Sequence, residues 1–222
     1  MPISTAPSPR TRIRRMPERA RYDNDTLTSI IDAAIVCNVA FQSDGVVHAI
    51  PTIHWREGEY LYIHGAKGSR MIKALMLSEV CITITLVDGL VLARSAMHHS
   101  MNYRSAVIYG RFEPITDAEE KQRSLQAFVD GLYPGRWETL RPITAKELNA
   151  TSLLRISLAE ASAKVREGGA KDDDEDLDWP VWAGAIPLQT TVGTPRMEAD
   201  SRLTSIPVTR FDNQNDYDSE NA

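Results

Sequence analysis

Cysteine is scarce in this chain: two in 222 residues, Cys37 and Cys81, each inside an apolar, strand-like run. That excludes a disulfide-stapled scaffold and a zinc site built on paired cysteines, and it points to a reducing, cytoplasmic setting. No stretch approaches the roughly 18 consecutive apolar residues of a membrane helix, and the N-terminus lacks the apolar core of a secretory signal. A soluble protein with no membrane partner is therefore expected. Basic charge is not in excess either, since the net charge is −5, which argues against a dedicated nucleic-acid binder. Finally, G-x-S-x-G, P-loop, G-x-G-x-x-G and H-E-x-x-H signatures are all missing, so the common hydrolase and nucleotide-binding classes drop out.

What charge there is lies unevenly. Six acids crowd residues 172–178 (Asp172, Asp173, Asp174, Glu175, Asp176 and Asp178) and account for more than the whole net charge. A like-charged run of this kind repels itself and reads as a solvated linker, 168–178. Six arginines fall in the first 21 residues. This is either a flexible arm over 1–15 or an organelle-targeting bias, which Glu18 and Asp23 interrupt. The folded domain is expected over 16–167, with a short return at 179–188 and a polar, disordered tail over 189–222.

Within that domain Leu27, Ile30, Ile31 and Ala34 have helical spacing after a cap at Asn24 or Asp25. Residues 35–41, 46–55 and 59–64 read as antiparallel strands broken at Asp44-Gly45 and Glu57-Gly58. Pro51 interrupts the second of these and marks an edge, a bulge or a place where something other than a strand meets the backbone. An apolar helical face follows over 69–77, then strands over 80–87, 103–115 and 152–165. Thr116 with Glu119 and Thr144 with Glu147 read as capping boxes, the first opening a helix that carries Leu125, Phe128, Val129 and Leu132. Six strands with few helices indicate a mainly β protein, a closed or nearly closed antiparallel barrel with flanking helices.

Two histidine pairs are candidate metal sites. His48 and His54 share a strand face but stand about 20 Å apart at ~3.3 Å per residue, too far for one ion. His98 and His99 point apart if extended and have no acidic or cysteine partner nearby in sequence. The stretch richest in chemistry is Ile63-His64-Gly65-Ala66-Lys67-Gly68-Ser69-Arg70, where a strand delivers a histidine into a glycine loop, a hydroxyl, a guanidinium and a helix. Such an arrangement suits a phosphate. A tight strand-to-helix turn with a solvated basic rim is the alternative.

Four segments in order, residues 16–23, 49–70, 102–121 and 179–188, resemble the pyridoxamine 5′-phosphate oxidase-like split barrels, and within them the nitroimidazole-resistance branch. The resemblance implies a six-stranded antiparallel split β-barrel, a homodimer, and FMN bound between subunits. It places His64, Ser69 and Arg70, with Gly65, Ala66, Lys67 and Gly68 around them, on the flavin phosphate and ribityl oxygens. Ile50, Pro51 and Thr52 match the strand whose backbone runs along the isoalloxazine. Arg104 and Ser105 lie where the paired subunit completes the site, and Trp182 matches a late residue that covers the ring. The arginine and histidine set near the C-terminus that grips pyridoxamine phosphate is not evident, which argues against vitamin B6 oxidation.

The function expected from this reading is an FMN-dependent oxidoreductase that takes electrons from NADH or NADPH to a small, flat acceptor. His64 would relay protons in such an enzyme. The rivals are a flavin-binding protein for storage or sensing that does not turn over, and an interaction module whose loop is structural. Cys37 and Cys81 read as core thiols.

Overall fold

The computed structural model describes residues 5–202. In chain order the elements are β1 (Ala20–Arg21), α1 (Asn24–Ala33), β2 (Val36–Ser43), β3 (Val46–Ile53), β4 (Trp55–Glu57), β5 (Tyr60–Ala66), α2 (Arg70–Leu75), β6 (Val80–Leu92), β7 (Ser100–Gly110), β8 (Glu113–Pro114), α3 (Ala118–Leu132), α4 (Ala145–Ala150), β9 (Thr151–Ser157), β10 (Ala161–Arg166) and β11 (Gly184–Pro187). They form a mainly β, antiparallel fold in two sheets. One runs β1-β10-β7-β6-β2-β3 with β11 added beside β6, and the other runs β4-β5-β9-β8. The chain passes between sheets at His54, from β3 to β4, and at the turn from β9 to β10. This is the split-barrel arrangement.

Asp44 and Gly45 turn the first hairpin with φ of 53° and 78°, as the two-residue I′ turn requires. Pro51 sits on β3, the last strand of its sheet, opposite Asn38, where its missing N–H costs no ladder bond. The segment expected as one strand over 152–165 is two, because the chain reverses between Ser157 and Ala161. The Ser157 hydroxyl accepts the Ala159 amide at 3.2 Å in that turn, with no glycine or proline to announce it. Strand β6 carries a bulge between Val87 and Gly89. Ahead of it Ile82 and Ile84 point inward, and beyond it Val91 and Ala93 do, so one extra residue exchanges the two faces.

The core of this body gathers Ile30 and Ile31 from α1, Val39 and Phe41 from β2, Leu61 and Ile63 from β5, Leu75 from α2, Ile82 and Ile84 from β6, and Leu154 and Ile156 from β9. Helix α1 opens at Asp23, not Asn24 or Asp25: the Asp23 carboxylate accepts the Thr26 amide at 2.8 Å. The acidic side chain one residue earlier reaches the third amide, as an N-cap must.

Two compact units divide the described chain. One, up to Ile115 and again from Ala150 to Gln189, holds both sheets with α1 and α2. The other, Thr116–Asn149 with the residues from Thr190, holds α3 and most of α4. Helix α3 is capped by Asp117, which accepts the Glu120 amide at 2.8 Å, so the expected Thr116–Glu119 box is displaced by one residue. The second box is present as read: Thr144 accepts the Glu147 amide at 3.2 Å and Glu147 accepts the Thr144 amide at 2.9 Å. Residues 190–202 form no helix or strand, and the expected tail continues outside the described residues.

Two stretches expected to be loose are tethered. Residues 8–15 are held by Ser8 donating to Glu160 at 2.6 Å, by Arg10 pairing with Glu79 and Glu160, and by Lys164 donating to the Arg15 carbonyl at 3.1 Å. In the acidic run Asp172 accepts both the backbone amide and a guanidinium N–H of Arg94, at 2.8 and 2.9 Å. Sequence neighbours repel each other there, but a cation 78 positions away compensates one of them. The return segment pairs with β6, Gly184 to Pro187 facing Leu92 to Gly89.

Candidate functional site

Strand β5 lies between β4 and β9, so its residues alternate between two faces. Leu61 and Ile63 point into the core. Tyr62 and His64 point the other way, beside Trp55 of β4. Trp55 stacks on Tyr62 with ring centroids 5.7 Å apart, and the His64 ring leans against Trp55 at 5.8 Å. Burial in this aromatic setting lowers the His64 pKa from its ordinary value and keeps the imidazole neutral at pH 7.

Past His64 the strand ends at Ala66 and the chain turns into α2. Gly65 is there for packing: a Cβ would come within 2.9 Å of Ile72 on α2. Gly68 has open space around it. Two of the loop's amides are used internally, Lys67 to the Ala150 carbonyl at 2.8 Å and Ser69 to the Ala66 carbonyl at 2.9 Å. The loop's side chains add further donors. Ser69 occupies the N-cap of α2 but its hydroxyl makes no cap bond. Lys67 and Arg70 are exposed, and no ion pair joins either to a described carboxylate. Other arginines of the sheet body are ion-paired: Arg56 with Asp32, Arg94 with Asp172, Arg104 with Asp88, Arg155 with Glu113. A half-buried hydroxyl, Ser69, and two exposed cations, Lys67 and Arg70, within four residues form a ready anion cradle.

Ile50, Pro51 and Thr52 lie on β3, with Ile50 packed on the core and Pro51 exposed. β3 touches β5, so the candidate strand and the strand feeding the loop are neighbours. Arg104 and Ser105 are on β7 of the other sheet. Arg104 is held by Asp88, the bulge residue, through two hydrogen bonds of 2.8 and 2.9 Å, and Ser105 donates to the Lys164 carbonyl at 3.3 Å. Trp182 is 61% exposed and its ring lies over Gly184, where a Cβ would meet it at 2.9 Å.

The remaining imidazoles have other work. His54 is buried just beyond the end of β3, its Nε2 3.0 Å from the Ile31 carbonyl, and His48 stacks on Phe41. His98 lies against the Lys171 carbonyl with Nε2 3.6 Å from Asp173, an acidic neighbour that its own stretch of sequence does not contain. Among the described residues no group of three His, Cys, Asp or Glu is placed to hold a metal. No described helix is long and apolar enough to cross a membrane. The aromatic setting of His64 was not read from the sequence; the alternation Trp55, Tyr62, His64 across a paired hairpin is the signal that carries it.

A family profile described as pyridoxamine 5′-phosphate oxidase matches residues 23–165. The flavocytochrome Anf3 from Azotobacter vinelandii is 43% identical in a match that covers 95% of this chain and 98% of that one, with a TM-score of 0.89. The FAD and haem binding protein from Mycobacterium smegmatis is 34% identical, covering 88% and 96%, with a TM-score of 0.81. A protein of Bacteroides thetaiotaomicron, described as a candidate for 5-nitroimidazole antibiotic resistance, shares the fold at 24% identity, 66% and 86% coverage and a TM-score of 0.56. A search of curated proteins returns no match.

Proposed function

Because this chain belongs to the pyridoxamine 5′-phosphate oxidase family, we propose that it is a redox protein binding a flavin, as FAD rather than FMN, together with a haem. The observation that carries this reading is the near full-length likeness to a flavocytochrome, which extends beyond residues 23–165 at both ends. The residues present fit both groups. Lys67, Ser69 and Arg70 supply three outward donors for flavin phosphate, and the β3 edge at Ile50, Pro51 and Thr52 offers a backbone for a flat ring to lie along. His64 offers what a haem iron takes, a neutral imidazole in an aromatic, partly desolvated place, and we assign it there instead of to the phosphate.

When bound, a flavin exchanges electrons in pairs or singly and a haem iron takes them one at a time. The chain's contribution is positional. Arg70 and Lys67 offset phosphate charge, Ser69 fixes its orientation, and Trp55 holds the His64 ring in place. Burial also disfavours protonation of His64. NADH or NADPH is the donor in this reading and a small, flat acceptor the sink. The protein works as a homodimer, supported by an outward apolar row, Ile186, Leu90 and Met101, paired across three adjacent strands and each 42–45% exposed. Trp182 flanks that row on the β11 side and is the candidate ring cover.

The test is made on purified protein. Released flavin is identified by chromatography as FAD or FMN, and the haem by its Soret absorption. Arg70→Ala is expected to weaken flavin binding by at least about tenfold, the worth of a hydrogen bond to a charged group, with the Soret band intact. His64→Ala is expected to lose or shift the Soret band and keep the flavin. A protein without Soret absorption would sink the haem assignment, released FMN would sink the choice of FAD, and unchanged flavin affinity in Arg70→Ala would sink the phosphate cradle.

A further inference from the structure

The N-terminal segment builds a cavity of its own, about 690 Å³, from residues between Thr5 and Tyr22. Pro7, Pro9, Ile13 and Tyr22 give it apolar walls, and Arg12 and Arg14 give it charge. The segment is fixed at several points. The Tyr22 hydroxyl accepts the Ile13 amide at 2.8 Å, Ser8 and Arg10 are tied to Glu160, and Ala20 and Arg21 pair with β10. A volume of this size is within the roughly 300–1,000 Å³ range of small-molecule sites.

The arginines of this segment divide sharply. Arg10 has two carboxylates, Arg19 pairs with Glu18, and Arg21 donates to the carbonyls of Glu18 and Ala20. Arg12 and Arg14, which line the cavity, have no described carboxylate in an ion pair. Their backbone positions are two residues apart, at most about 7 Å, so both guanidiniums can reach neighbouring anionic groups of one ligand. The lining offers no imidazole, thiolate or thioether to an iron, so the ligand is held by its anionic groups and by contact with the apolar walls.

Resting on the nicotinamide donor assigned above, we propose that this cavity binds the ADP moiety of that donor, its diphosphate bridging Arg12 and Arg14 and its adenine resting against Tyr22 and the prolines. Guanidinium is suited to this because each can take two phosphate oxygens at once. An FAD whose flavin phosphate lies at Lys67–Arg70 has no second diphosphate to place here, so the dinucleotide is the nicotinamide donor. The assignment rests on the N-terminal geometry and stands apart from the loop at Lys67–Arg70.

The experiment titrates a fluorescent ADP into the full-length protein and its Arg12→Ala, Arg14→Ala, doubly substituted and Arg15→Ala forms, with melting curves to show that each is folded. Each single substitution is expected to weaken binding by at least about tenfold, the double one further, and Arg15→Ala not at all. Affinity should fall with added salt. Displacement by NADH or NADPH supports the proposal; displacement by FAD and by neither nicotinamide overturns it, because the phosphates of FAD are already placed at the loop. Absence of ADP binding, or equal affinity in the doubly substituted form, overturns it. Arg70→Ala should keep ADP affinity, so failure of the loop assignment and failure of this one are told apart.

Discussion

The close approach of β11 to β6 can be tested at one atom. Replacing Gly89 with alanine puts a Cβ 2.9 Å from the Ile186 carbonyl oxygen and 3.5 Å from the Pro187 Cα. Both obstacles are backbone, so no side chain can swing aside. Relief requires β11 to move off by about half an ångström, which strains its short pairing with β6. Overpacking of this kind costs about 1–3 kcal/mol. Four residues facing four cannot absorb that as a long strand would, so the strand should detach locally while the barrel stays folded. Hydrogen exchange at Gly184–Ile186 and at the facing amides of β6 should accelerate by roughly ten- to a hundredfold, and the Trp182 emission should shift to the red. The rest of the protein should exchange as before. Wild-type exchange in both strands of Gly89→Ala would refute the reasoning, because the carbonyl could not then be where the packing puts it.

Three further outcomes follow from the structure. Leu90→Asp with Ile186→Asp places two carboxylates in the outward apolar row and should convert a dimer to a monomer, read by light scattering after size exclusion; a parent protein already monomeric refutes the interface. His64 has a depressed pKa when folded, so below about pH 6.5 the unfolded chain binds the extra proton more readily. Stability should therefore fall as pH drops from 6.5 towards the folded pKa, and His64→Gln should flatten that slope in melts recorded at pH 5 to 8. Cys37 is fully buried and its thiol is pushed up to about 12 by desolvation, so a thiol reagent at pH 8 should leave it unmodified in the native protein and label it only after unfolding.

The parts legible in the sequence were those with local causes. Asp44-Gly45 announces its turn because few other pairs accept two positive φ values in succession, and Thr144-Glu147 announces its cap because both partners sit within four residues. What escaped depended on distant partners. Ser157 makes a turn with its own hydroxyl where no glycine or proline stands. Asp172 looks like one of six repelling acids until Arg94 is found beside it. Thr116 and Asp117 are both good caps, and only the helix phase selects the second. The anion loop was recognisable as a string of donors, but folding alone shows that the Lys67 and Ser69 amides are used internally. The aromatic bed of His64 was hidden because Trp55 and His64 are nine residues apart and meet only through hairpin pairing. Haem lay outside the sequence reading because it contains no ligand pattern for iron beyond single histidines.

The bulge at Asp88 has a consequence for how the chain end is attached. Ahead of it β6 is a wall of the barrel; beyond it the same strand is a rail on which the C-terminal segment docks. Since the inserted residue resets the alternation, an error of register in the docked segment stops at the bulge and does not propagate into Ile82 and Ile84. The Arg104 pair with Asp88 clamps that joint in place. The far half of β6 thus carries the docked segment on residues whose alternation is set apart from that of Ile82 and Ile84.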